Sequence, residues 1–154
     1  MINQYMLRAA LLLICALHGV AVSAAGEEPA GTIKTVTGSV TIERGGQKLA
    51  AAEGTQVFAA DNVITGSNGS VGITLRDNTL LSAGHNSSLS LDKFAFDPST
   101  HAGTIDASLK RGTLSVVSGK IAKQSPDSVR FRTPTTTLGV RGTEFIIEVD
   151  AARD

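Results

Sequence analysis

The chain has 154 residues, with 14 basic and 14 acidic side chains and a formal net charge of zero. That balance excludes the basic surface a nucleic-acid or anionic-membrane binder would carry. With no Trp, one Tyr and one Cys, it has few stacking platforms for bases or sugars and no second thiol to close a disulfide.

The first element reads as an export leader. Met1 to Arg8 is short and carries one positive charge, and Ala9 to Val22 (AALLLICALHGVAV) is almost wholly apolar. Val22-Ser23-Ala24 or Ser23-Ala24-Ala25 supplies small residues for a signal-peptidase cut. A membrane anchor is the rival reading. Fourteen helical residues reach only about 21 Å, against a hydrocarbon core of about 30 Å, so a signal peptide over residues 1–25 is expected. A lipoprotein reading of Cys15 fails because Ile14, not a small residue, precedes it. Cys15 leaves with the leader, and so does Tyr5. Losing Arg8 leaves 13 basic against 14 acidic side chains. Residues 26–154 are expected to form a single domain, with its core over 31–149 and no membrane insertion after cleavage.

Beyond the leader the chain reads as β almost throughout. Short apolar runs rich in Val, Ile and Thr are cut by turn residues about every 8–12 positions. Expected strands are Gly31–Val36, Ser39–Glu43, Asn62–Thr65, Ser70–Leu75, Thr79–Ser82 and Ser88–Leu91. Ala107–Leu109, Gly112–Val117, Val129–Thr133, Thr136–Val140 and Thr143–Val149 follow. Val71, Ile73 and Leu75 alternate with Gly72 and Thr74, the period of a half-buried strand. Asp77-Asn78 reads as a two-residue hairpin turn. No window keeps a helical period, and Ala50–Glu53 has room for one helical turn at most.

An internal echo supports a repetitive architecture. Gly31-Thr-Ile-Lys-Thr-Val-Thr-Gly-Ser-Val40 matches Gly112-Thr-Leu-Ser-Val-Val-Ser-Gly-Lys-Ile121. Each copy would be a strand, a glycine corner and the start of a second strand, and stacked copies bury what one cannot. The expected fold is all-β, with short glycine-punctuated strands in a twisted, solenoid-like or sandwich-like two-sheet stack.

The residues that could carry chemistry are sparse. His85 and His101 lie among Gly, Asn, Ser and Thr, without partners at metal-ligand spacing, and read as solvated loop histidines. No G-x-S-x-G elbow accompanies the serines. Asp61-Asn62, Asp77-Asn78, Asp92 and Asp97 could offer oxygen ligands to Ca²⁺, but the tandem repeat that a Ca²⁺-binding β-roll requires is missing. Turn capping accounts for them better. Arg141 stands between Val140 and Gly142, ahead of a Phe-Ile-Ile strand. That setting predicts a partly buried guanidinium paired with Asp61 or Glu144, a ligand carboxylate or phosphate being the alternative. Arg111 follows Lys110 and reads as exposed. No catalytic, metal or cofactor site is expected.

The densest stretch is Val129–Val149, VRFRTPTTTLGVRGTEFIIEV, which reads as strand, tight turn, strand. Within it, T-P-T-x-T-[LI]-G-V-R-G-T-E-F resembles the C-terminal signature of the FecR domain family, an all-β periplasmic module. Further blocks agree in order: Gly38–Arg44, Glu53–Gly66, Gly69–Thr79, Ser88–Leu91 and Leu109–Leu114. Motif positions are Asp61, Gly66, Asp77, Asn78, Pro134, Gly139, Arg141, Gly142, Thr143 and Phe145. The chain departs from the family pattern at Ala60, where Gly is common before Asp, and at Asn78, where Gly is common after Asp. Asn tolerates positive φ, so the second departure preserves the turn.

The resemblance implies a non-enzymatic binding module of envelope signalling or sensing. Its expected partner is a cell-envelope protein, a membrane sensor or outer-membrane transporter domain. FecR-type regulators add a cytoplasmic anti-sigma segment, for which the seven residues before Arg8 leave no room. A stand-alone secreted member is therefore expected, in the periplasm or at the cell surface. A surface or cell-wall glycan-associated protein is the alternative. It would need an aromatic platform, and Phe94 and Phe96 are the loop aromatics that could supply one.

Overall fold

A computed structural model describes residues 26–150; the leader and Cys15 lie outside them. Twelve strands form one continuous sheet curled into a half-barrel. They are β1 Gly31–Thr37, β2 Val40–Arg44, β3 Gln47–Ala50, β4 Gln56–Val57, β5 Asn62–Thr65 and β6 Ser70–Leu75. Then come β7 Leu80–Ala83, β8 Ser88–Phe96, β9 Gly103–Val117, β10 Val129–Arg132, β11 Thr137–Gly139 and β12 Glu144–Val149. The all-β expectation holds.

The sheet has two halves. One runs β4-β1-β6-β7-β9-β12, the other β3-β2-β5-β8-β9-β10-β11. The chain passes between halves at glycines: Gly38 between β1 and β2, Gly66 and Gly69 between β5 and β6, Gly84 between β7 and β8. At Gly38 and Gly69 the backbones come too close for a Cβ. One built on Gly38 would lie 2.2 Å from the Asn68 carbonyl oxygen, and one on Gly69 2.2 Å from that of Ser39.

Strand β9 belongs to both halves. β8 and then β7 run along one of its edges, β10 and β12 along the other. The sequence splits this strand into Ala107–Leu109 and Gly112–Val117; the structure makes it one. The break in periodicity is a bulge at Lys110–Arg111, opposite the step from Ser88 to Leu89. The extra residue shifts the buried positions from Ile105, Ala107 and Leu109 to Leu114 and Val116, so each half still presents its apolar face to the core. Gly112, at φ 92°, makes the bend against Ser87. Both halves close on one core that includes Ile33, Ile42, Val63, Ile73, Leu81, Leu89, Ile105, Leu114 and Phe131.

β10 runs parallel to β9, the one parallel pairing among the described residues. A parallel neighbour requires a crossover rather than a hairpin. Residues 118–128 supply it as a short helix, α1 Lys120–Gln124, followed by a 3-10 turn at Pro126–Ser128. The second copy of the echo therefore leads into helix, not strand. Two things decide this. Lys, Ala and Gln are helix formers, and the buried Asp77 carboxylate accepts the Ile121 amide at 3.2 Å while the Asp77 carbonyl accepts that of Lys120 at 2.8 Å. Ala50–Glu53, the segment with room for a helical turn, instead closes β3 and turns.

The hairpin at Asp77-Asn78 is also a correction. Arg76, Asp77 and Asn78 form a three-residue loop, with Asn78 N–H donating to Leu75 O and Leu75 N–H to Thr79 O. Of the pair only Asn78, at φ 68°, is left-handed. This is the type I turn plus left-handed residue that three-residue hairpins favour. Two strands escaped the sequence reading. β3 is exposed at all four positions and has no alternation to detect, and β4 is two residues long.

Candidate functional site

Two buried carboxylates organise the first half of the domain. Asp61 is fully buried and receives Arg44 Nε and Nη2, both at 2.7 Å, and the Phe58 amide at 2.8 Å. The same guanidinium donates to the Gln56 carbonyl and lies 4.5 Å from the Phe58 ring centroid. The hydrogen bond to Asp61 is the main cause that holds Arg44 above its ordinary pKa. Asp77 receives the Thr79 amide and hydroxyl as well as the Ile121 amide. Both carboxylates cap turns, as the sequence suggests, and both also tie that turn to a distant element. Neither offers a free oxygen face to a ligand.

Arg141 is where the structure overturns expectation. It is not buried, and neither Asp61 nor Glu144 is its partner. Its side chain is 83% exposed and, among the described residues, has an ion-pair partner only in Asp127, 88% exposed, at 3.5 Å. Asp61 is taken by Arg44. The apolar neighbours of Arg141 misled because Val140 alone turns inward: Val140 is buried while Gly139, Arg141, Gly142 and Thr143 face out. Ser118 grips the loop from below. Its amide donates to the Thr143 carbonyl at 2.8 Å and its hydroxyl to that of Gly142 at 2.9 Å. The loop is thus anchored at both shoulders and presents the guanidinium to solvent.

The other motif positions divide cleanly. Gly66 is a tight corner, donating to the Ser39 carbonyl and accepting from Asn86 and Gly69. Asn78 supplies the left-handed turn residue. Pro134 sits at the tip of the β10–β11 hairpin, closed by the Thr133 amide on the Thr136 carbonyl at 2.8 Å. Phe145 packs edge-on against the buried Phe131, with ring centroids 5.3 Å apart. These are scaffold. Arg141, Gly142 and Thr143 form an exposed loop between β11 and β12, and Gly139 is exposed at the end of β11, paired with Arg130.

That loop borders a shallow groove of about 330 Å³ lined by Leu138, Val140, Phe145 and Ile146. Ile146 is 69% exposed, the most exposed large apolar side chain among the described residues. Among the described residues β12 pairs with β9 on one edge only, which leaves a strand edge able to accept another strand. Two further cations, Lys123 and Arg130, face neighbouring depressions beside Arg141. Neither has an ion-pair partner among the described residues.

The histidines are exposed loop residues, as expected. His101, at φ 61°, stacks on Phe96 at 6.3 Å. It lies in the turn capped by Asp97, whose carboxyl is held below its ordinary range chiefly by the amides of Ser99 and Thr100. Phe94 and Phe96 are not loop residues; they lie in the extended end of β8. Arg76 covers Phe94, 5.6 Å from its ring centroid, and His101 covers Phe96. Among the described residues no group of His, Cys, Asp and Glu is placed to hold a metal ion.

Comparison with family models matches FecR protein over residues 61–154, more than half of the chain. The match begins at the buried Asp61 and takes in β9, the crossover and the whole of the exposed loop. No curated protein and no solved structure matches.

Proposed function

Since this chain belongs to the FecR protein family, whose members act generally in signalling and are not known as enzymes, we propose that it is an exported, non-enzymatic module that acts by binding another envelope protein. The observation that carries this reading is the free edge of β12 beside the exposed loop. A β-strand edge with an apolar residue pointing outward is a template for strand addition, and Ile146 is that residue. Across the outer face the neighbouring strands add Val117 and Leu80, which pair directly with each other and are also exposed. Export and a periplasmic location rest on the leader, and the partner class on the family's role in signalling. The glycan-binding alternative is weakened because Arg76 and His101 already cover the two phenylalanines it would use.

Two measurements test the proposal. N-terminal sequencing of the exported protein should return Ala25 or Gly26 as the first residue; recovery of Met1 or of a lipid-modified Cys15 would refute export by cleavage. A photo-crosslinking residue in place of Ile146 should give a discrete protein adduct in intact cells. The same residue at Leu49, on the opposite edge strand β3, should not. Equal adducts at both positions, or none at either, would end the β12 assignment.

A further inference from the structure

β12 carries an outward pattern that its own sheet does not use. Glu144, Ile146 and Glu148 are its exposed side chains, while Phe145, Ile147 and Val149 turn toward the core. Across the pairing with β9 the three outward residues face Val117, Ser115 and Thr113. No cation stands opposite either glutamate there. Neither glutamate has an ion-pair partner among the described residues.

The surroundings hold both signs, and the cations lie off the strand. Arg141 is in the loop before β12 and meets Asp127 at 3.5 Å. Arg111 and His85 share a depression with Glu148 and Asp150 at the far end. On β12 itself the outward row reads acid, apolar, acid. A strand added to a free edge brings its side chains to roughly 5 Å from those directly opposite, where unlike charges stabilise and like charges destabilise. Exposed charges further off are screened by solvent, so the row on β12 sets the preference.

An apolar side chain opposite Ile146 fills the groove bordered by Leu138, Val140 and Phe145. A Lys or Arg two positions to either side of it meets Glu144 and Glu148. The row is symmetric about Ile146, so either strand direction satisfies it. The same row disfavours a second copy of this chain. Antiparallel pairing of two β12 edges about Ile146 sets Glu144 against Glu148, and parallel pairing sets each glutamate against its counterpart.

We propose that β12 recognises, by strand addition, an extended partner segment with the alternating pattern basic-x-apolar-x-basic. This rests on the binding reading above and names the chemistry of its partner.

The test uses the full-length protein carrying the photo-crosslinker at Ile146, in intact cells. Glu144→Lys combined with Glu148→Lys should lower the adduct about tenfold, on the scale of exchanging two cross-strand attractions for repulsions. Glu144→Gln combined with Glu148→Gln removes the attractions alone and should lower it about threefold. Arg141→Glu should not lower it. All these positions are exposed, so thermal unfolding should match the parent, and the glutamine pair decides the matter if the lysine pair does not fold. Peptide sequencing should place a Lys or Arg two residues to each side of the cross-linked apolar residue. Parental adduct yield in the glutamine pair, or in a folded lysine pair, overturns the charge recognition while leaving binding at β12 standing. An acidic segment or a second copy of this chain as the captured species overturns it too, as does an adduct lost with Arg141→Glu. If no adduct forms in the parent, the binding reading itself fails.

Discussion

Arg44 and Arg141 show how differently two arginines of one chain can be employed. Arg44 fills both oxygens of a carboxylate that water does not reach, while Arg141 reaches only an exposed aspartate. Removing Arg44 strands the Asp61 charge in the interior. Arg44→Ala should cost about 2–3 kcal/mol, below the full penalty for a buried pair because the guanidinium itself is half exposed. Arg44→Lys should also destabilise, since an ammonium cannot make the two-pronged contact. Arg141→Ala should cost under about 1 kcal/mol, where sequence context suggests a partly buried, paired guanidinium. Urea melts of the three variants check this, and an Arg141→Ala loss as large as that of Arg44→Ala would show a packing role the geometry lacks. Ala60 offers a gain. It holds φ 67° directly before Asp61, where an L side chain is strained by about 1–2 kcal/mol. Ala60→Gly recovers that strain less the added freedom of glycine in the unfolded chain, so the midpoint should rise by a net of roughly 0.5–1 kcal/mol. Asn78→Gly, at φ 68° but with a residue type that tolerates it, should change stability less.

Among elements, the glycines form two populations that mutation should separate. Gly119 lets the crossover begin against the β6–β7 turn, where an added Cβ would lie 2.4 Å from the Asp77 carbonyl oxygen and 2.5 Å from the Thr79 amide nitrogen. Backbone on both sides cannot give way, so Gly119→Ala should destabilise by at least about 2 kcal/mol, as overpacking does. Gly112→Ala adds a positive φ to the same kind of clash. Gly139→Ala and Gly142→Ala should instead be neutral or stabilise by up to about 1 kcal/mol, through reduced freedom of the unfolded chain. Chemical denaturation of all four distinguishes crowded glycines from open ones. Destabilisation by Gly139→Ala or Gly142→Ala would give those residues an internal role that the geometry lacks. The helix obeys the same logic of contact over propensity. Five residues cannot hold a helix alone; α1 persists because Asp77, in the β6–β7 loop, accepts its first amides and Ile121 is buried.

For the whole molecule, β9 couples everything. It pairs with β7, β8, β10 and β12, and its inward side chains supply both halves of the core. The two halves should therefore unfold as one unit. Leu109→Ala and Leu114→Ala, one in each half, should each cost about 2–5 kcal/mol. Each should lower a single shared transition, seen as coincident midpoints for amide signals of β2 and of β6 in a denaturant series. Separate midpoints would mean that the halves are independent and that β9 is a linker. The distant pairings also mean that loop closure precedes reward, so folding should be slow, in the millisecond to second range.

What was legible in the sequence follows from locality. Strand period, glycine corners and the turn residue Asn78 depend on neighbours along the chain, and the bounds of β5 and β6 match the sequence reading to the residue. The all-β fold and the FecR resemblance could be read there because composition and motif order survive without coordinates. Tertiary structure decided the rest. Whether Lys110-Arg111 ends a strand or bulges within it depends on which strands flank it. Whether Gly119 leads to strand or helix depends on a carboxylate some forty residues away. The same holds for Arg141. A charged residue between small and apolar neighbours is buried or presented according to which way one adjacent valine turns, and that is set by the core under the loop, not by the letters on either side.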